Sequence, residues 1–413
     1  MFLVNVALAR TQTKEDYGTF ALSYSIFMFL SGLHSAMVLE PFTVYGSGRY
    51  QGAFGRYWKL MMRGNVLVGF ALSVVLFLAS RLFLQFAPSL NSPSLVGLAL
   101  TIPFILSGSF LRRSFYVVRK PNLAARTSLA FCLTVGLLLW ISTQSHRLNG
   151  FSAFVILAVG WLVAGMTIVR DLPFGKNTSF LESEPRYWRE HWVYSRWVLA
   201  QAFVYQFMHQ GYYWLVAGFL SVKEVGELKA MYVLIAPIEQ VMISLSFLFL
   251  PALAAEYAGQ NTATFRSVWR RYALLELAIT VAFALAMRMV GAPVIHILYA
   301  GKFDDLAPML FLLALVPLTM ALGNAMSDAI RAVEKPRLVF YSAVGSALAT
   351  FLIGVPLVKY FGLHGAVYGM LVSGAAFTSV LAVAFWLHVH KPSRLKLANI
   401  YTPAPPFPTS ELS

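Results

Sequence analysis

The chain has 413 residues, of which 58% are hydrophobic and 12% charged, and a formal net charge of +15. A soluble globular protein carries about 25% charged residues. The apolar excess here falls in blocks of about 20, the length that crosses a hydrocarbon core. This is a polytopic helical membrane protein with no room for a large extramembrane catalytic domain. The positive charge calls for no nucleic acid, because basic residues pool in cytoplasmic loops. Cys132 is the single cysteine and excludes an intramolecular disulfide.

The chain opens on MFLVNVALAR, nine mostly apolar residues before Arg10 and too short to span. Ala7-Leu8-Ala9 mimics a cleavage site, but no basic segment precedes it. The stretch is expected to be the end of a first helix whose beginning is absent. Spans are expected at about 19–40, 61–80, 94–117, 126–143, 151–170, 197–220, 230–251, 272–291, 306–330, 337–357 and 365–388. Between them, Tyr187-Trp188-Arg189-Glu190-His191-Trp192 reads as an interfacial helix, since aromatic and basic groups suit the headgroup layer. Pro392, Pro403, Pro405, Pro406 and Pro408 mark an extended tail.

With the stub, these make twelve crossings in two groups of six, and the groups repeat. Phe54 and Trp58 recur as Phe265 and Trp269, 211 positions on. Lys120-Pro121-x-Leu123 recurs as Lys335-Pro336-x-Leu338, and Leu148-Asn149-Gly150 as Leu363-His364-Gly365, both 215 on. Pro103 and Pro317 match at 214, and the Tyr17-Gly18 and Val225-Gly226 turns at 208. Six is even, so the halves enter the membrane from the same side, as parallel repeats; transporters use this construction. The expected fold is all-α, with an N-terminal lobe over 1–170, a cytoplasmic linker over 171–196, a C-terminal lobe over 197–390 and a disordered tail over 391–413. Placing both termini inside puts 23 basic residues in inner loops and 9 outside, Lys229 among the latter. That asymmetry supports the orientation.

No catalytic constellation stands out: there is no phosphate-binding GxxxxGK[ST] loop, no HExxH and no cysteine cluster. No metal or cofactor is expected. Polar residues inside spans are costly in lipid and tend to face a protein interior or a water-filled cavity. Gln206, His209, Gln210 and Tyr213 fall at i, i+3, i+4 and i+7 on one helical face, with Tyr205 and Tyr212 beside it. They are expected to wall a substrate cavity; the alternative is hydrogen bonding that holds helices together. Asn65 and Asn324 are further cavity candidates. Glu239 and Glu276 are candidates for ion coupling, whereas Asp328 suits an ion pair with Arg331, three residues on. Arg63, Arg113, Arg126 and Arg196 near the inner mouth have the planar fork that suits a pyrophosphate. Each also fits the ordinary basic-loop pattern.

Several segments carry a resemblance. In LARTQTKEDYGTFALSYSI (8–26), Arg10, Glu15-Asp16 and Tyr17-Gly18 resemble the helix 1–2 junction of polysaccharide exporters of the multidrug/oligosaccharidyl-lipid/polysaccharide superfamily. VGELKAMYVLIAPIEQVMISLSFLFLPALAAEY (225–257), VIHILYAGKFDDLAPML (294–310) and AIRAVEKPRLVFYSAVGSALATFLIGVPLVKYFGLHGAVYGM (329–370) resemble later parts of the same family. The resemblance is one of pattern over nearly the whole chain. It implies two six-helix lobes around a cavity, and a non-enzymatic flippase of lipid-linked oligosaccharide in the bacterial inner membrane. It also implies membrane lipid and glycan polymerases or glycosyltransferases as partners. A drug or small-cation antiporter of the same architecture, and a non-transporting scaffold of a glycan assembly complex, remain open. A major-facilitator carrier and a membrane glycosyltransferase fit less well.

Overall fold

The computed structural model describes residues 1–47, 50, 54–86, 93–118, 120–168, 171, 184–333 and 335–387. The expected tail over 391–413 and residues 172–183 of the expected linker lie outside the described residues, which contain helices and no strand. The first half holds α1 (Phe2–Thr11), α2 (Lys14–His34), α3 (Glu40–Ser47), α4 (Phe54–Phe86), α5 (Pro93–Val117), α6 (Pro121–Gln144) and α7 (Gly150–Met166). The second holds α8 (Glu184–Phe219), α9 (Val222–Ala258), α10 (Thr262–Tyr299), α11 (Ala307–Ala314), α12 (Val316–Ala332), α13 (Pro336–Ala349) and α14 (Val355–Phe385). A π turn over Ser35–Leu39 joins α2 to α3, and another over Thr350–Gly354 joins α13 to α14.

Local chemistry sets these boundaries. Thr13 caps α2 by accepting from the Asp16 amide, and Glu15 and Asp16 favour the positive end of the helix dipole. Asn149 and Ser152 form a capping box at the start of α7. Pro121 and Pro336 each open a helix, where a missing N–H costs nothing. The repeat is visible here in the backbone. Lys120 (φ −112°, ψ 66°) and Lys335 (φ −117°, ψ 49°) have nearly the same conformation. Their amides reach back to the carbonyls of Phe115 and Ile330, at 2.8 and 3.1 Å.

The span expected at 337–357 is α13 and the π turn, with its last residues in α14, which also holds most of the span expected at 365–388. Gly362 (φ 60°, ψ −136°) turns the chain between them, in a region that only glycine enters readily. The span expected at 306–330 is interrupted at Leu315, just before Pro317 in the first turn of α12. Pro103 stays inside α5. Its ring leaves the Ala99 carbonyl without a helical donor, and the Ser73 hydroxyl of α4 supplies one at 2.5 Å.

The segment expected as a separate interfacial helix is instead the beginning of α8. No glycine or proline lies between Arg186 and Gln210 to break it. Its early side chains are anchored to the first half: Glu190 accepts from the Tyr50 hydroxyl at 2.7 Å, and His191 shares a 2.9 Å hydrogen bond with Tyr57. Ser195 donates to the Met37 carbonyl in the π turn. Further along, Tyr212 reaches Ser373 of α14 at 2.8 Å. α8 therefore belongs to both halves. Within the halves, α2 and α4 to α7 pack on one another and α9 to α14 do the same, while α2 also packs along α9 and α1 against α9 and α10 across the halves.

Among the described residues, eight helical stretches are long and apolar enough to cross a membrane, and α1 and α7 are shorter apolar helices. Exposed apolar side chains sit at helical spacing, as in Leu67, Phe70, Val74 and Leu78 of α4 and Leu129, Leu133, Leu137 and Trp140 of α6. Such stripes suit acyl chains, while the polar groups turn inward.

Candidate translocation cavity

A cavity of about 790 Å³ lies between α8, α9, α12, α13 and α14, with α1 and α2 closing one wall. The face of α8 anticipated from the sequence lies on it: Gln206, His209, Gln210 and Tyr213 all line the cavity. The Tyr205 ring sits 4.3 Å from that of His209. Asn324 of α12 and Glu239 of α9 line it too, and the Glu239 carboxylate accepts from the Tyr232 hydroxyl. At another part of the wall, Asp328 accepts from Tyr272 at 2.9 Å and lies 3.8 Å from Arg331.

The remaining candidates lie elsewhere. Asn65 does not line the cavity. It is fully buried and braces the first half, with its carbonyl 2.7 Å from His34 and its amide 3.1 Å from Ser107. Glu276 is also absent from the cavity wall. It is fully buried on α10 beside Tyr272 and Asn324, although neither carboxylate oxygen meets them in good hydrogen-bond geometry. None of the four candidate pyrophosphate arginines lines the cavity. Arg126 pairs with Asp171 and donates to the Thr167 carbonyl at 2.6 Å, fastening α6 to the end of α7. Arg63 and Arg196 are exposed, and the half-buried Arg113 keeps a buried Nε without a partner. Arg113 and Arg126 lie near the ends of α5 and α6, whereas Arg63 and Arg196 lie further along α4 and α8.

Lys229 is the cavity residue that sequence reasoning misplaced. The sequence places it among the outer-side cations, just before the span expected at 230–251. The structure puts it two turns into α9, lining the cavity and only 8% exposed. Its ammonium lies 4.5 Å from the centre of the Tyr24 ring and 5.3 Å from that of Tyr213. Among the described residues no carboxylate is within ion-pair distance of it. The hydroxyl of Tyr213 is buried without a hydrogen-bond partner. Ring faces attract a cation but offset only part of its lost hydration. Lys229 and Tyr213 thus place an ammonium and an unpartnered hydroxyl side by side in a partly apolar chamber.

No protein-family model matches the chain, and no curated protein sequence matches it. Its fold does match solved structures. A multidrug resistance MATE family transporter of the MOP superfamily, in its inward-facing conformation, superposes with a TM-score of 0.82 at 11% identity, covering 96% of this chain and 95% of that one. The outward-facing conformation of such a transporter gives 0.64 at 12% identity, over 94% and 91%. The lipid II flippase MurJ in an inward closed conformation gives 0.66 at 14% identity, over 93% and 84%. The chain therefore has the all-helical fold of MOP-superfamily transporters, in an arrangement nearer the inward-facing example than the outward-facing one.

Proposed function

We propose that this protein is a flippase that moves a lipid-linked oligosaccharide across the bacterial inner membrane, with its termini in the cytoplasm. The two halves rock about the cavity, which opens to one side at a time. The glycan head crosses inside the protein while the polyprenyl tail stays in the bilayer, and no covalent bond changes. Glu239 and Glu276 are the proposed ion-coupling acids, and Gln206, His209, Gln210, Tyr213 and Asn324 the proposed sugar contacts.

The observation that carries this reading is Lys229. A buried ammonium with no carboxylate in ion-pair contact, the nearest cavity acid Glu239 acting on it only at longer range, favours an anionic head, such as a pyrophosphate joined to sugars, over a cationic drug. It takes the role that sequence reasoning gave to the four arginines. The amide and hydroxyl groups of α8 suit sugar hydroxyls, which both donate and accept. A MATE transporter and the lipid II flippase MurJ share the fold, so the fold supports either cargo. Glycan polymerases and glycosyltransferases are the proposed partners.

The test is equilibrium binding of a polyprenyl-pyrophosphate oligosaccharide to purified protein in nanodiscs. Lys229→Met should weaken binding about tenfold or more, as loss of a charge-assisted hydrogen bond does, and Lys229→Arg should retain most of it. Equal affinity in the wild type and Lys229→Met, together with tight binding of a lipophilic cation, would favour the antiporter.

A further inference from the structure

The face formed by the α1–α2, α8–α9 and α10–α11 junctions is closed by two kinds of contact. The first joins repeat-related glycines, Gly18 in α2 and Gly226 in α9. A Cβ on Gly18 would stand 1.8 Å from the Val222 carbonyl oxygen, and one on Gly226 would stand 2.6 Å from the Lys14 carbonyl oxygen and 2.9 Å from the Gly18 nitrogen. The backbones of the two halves touch here with no room for any side chain. Tyr17 and Val225, the neighbouring residues, are fully buried.

The second kind consists of two lysines reaching across in opposite directions. Lys14, from the first half, meets Glu227 at 3.0 Å and Asp305 at 3.1 Å. Lys302, from the second half, donates to the carbonyls of Ala9 at 3.0 Å, Arg10 at 3.1 Å and Gln12. Those carbonyls end α1, and the last carbonyls of a helix lack intrahelical donors. Lys302 thus caps a helix of the opposite half, where a positive charge also complements the helix dipole. Burial followed by the nearby Lys14 charge lowers the Lys302 pKa. Phe303 fills the space below, edge-on to Tyr17.

We propose that these contacts form a releasable latch: Gly18 and Gly226 are the closure surface, and Lys14 and Lys302 are the ties. Opening this face would break both ties and strip α1 of its cap, so that the end of α1 is ordered only while the face is shut. The repeat accounts for glycine at both positions, since a pseudo-twofold crossing brings equivalent residues together. The proposal rests on alternating access but not on the identity of the cargo.

The test uses spin labels at the exposed Glu15 and Lys223 on this face, and at Lys59 and Ser267 on the opposite face, in a Cys132→Ser background in nanodiscs without cargo. The wild type should show one dominant short distance between Glu15 and Lys223. Gly18→Ala should shift most of the population to a longer distance and shorten the Lys59–Ser267 distance. Lys302→Met, which alters only a partly exposed side chain, should give a smaller shift in the same direction. Its amides at Ala9–Gln12 should exchange at least about tenfold faster in hydrogen exchange, as expected when a helix end loses its tie and frays. If Gly18→Ala does not fold, Lys302→Met decides alone. Unchanged distances and exchange in folded Lys302→Met protein overturn the latch. Shifted distances in a protein that moves no lipid-linked sugar leave the latch standing and refute only the cargo.

Discussion

At the scale of single residues, the cavity was legible where helical spacing carried the signal. Gln206, His209, Gln210 and Tyr213 share one face whatever surrounds them, and that face lines the cavity. Asn65 was not legible in the same way. A lone amide inside a span is equally compatible with a cavity and with a buried brace, and only the positions of His34 and Ser107 distinguish them. Asn65→Leu should therefore lower thermal stability by about 1–3 kcal/mol, because it strands the buried His34 and removes the Ser107 contact. Affinity for cargo should be unchanged; a lost affinity at normal melting temperature would return Asn65 to the cavity. Lys229 was hidden for the opposite reason. A lysine near a span's end reads as a loop charge, and its burial comes from Tyr24, about 200 positions away in the chain.

At the scale of helices, the sequence marked breaks well where proline or glycine imposes them, and poorly where their absence lets a helix continue. Gly362 is the clearest imposed break. Gly362→Ala should cost about 1–3 kcal/mol, as strained backbone regions do, read as a lower melting temperature of the purified protein. An unchanged melting temperature would mean that the turn tolerates a side chain. α8 illustrates the converse, because its first turns looked like a separate surface helix but continue directly into the span. Their docking depends on His191, which is 4% exposed and bonded to Tyr57. Burial, partly opposed by the charge of Glu190, lowers the His191 pKa to about 4. An undocked His191 would titrate near 6.5. Between those two values the undocked state holds the extra proton, so docking weakens as pH falls from 6.5 toward 4 and weakens no further below that. The protection factor over residues 188–195, with the intrinsic pH dependence of amide exchange divided out, should fall as the pH falls across this window, and His191→Gln should remove that fall. A fall in protection that persists in His191→Gln would locate the titration elsewhere.

At the scale of the whole molecule, the duplication was the most readable feature. Matching Lys-Pro junctions at the starts of α6 and α13, and two repeat-related glycines in contact, are its structural expression. Composition and repeat together imply the architecture, because twenty-residue apolar blocks have few ways to satisfy their backbones in lipid. The cargo was not readable, since it depends on a few side chains whose neighbours come from distant helices. The most direct measurement is flipping of a fluorescent polyprenyl-pyrophosphate oligosaccharide in proteoliposomes, followed by quenching from outside. The wild type should move the label across the bilayer, and Lys229→Met should slow it about tenfold or more, as loss of a charge-assisted contact does. Proteoliposomes that move no lipid-linked sugar, yet exchange a lipophilic cation for protons at the same rate with and without Lys229, would contradict the account.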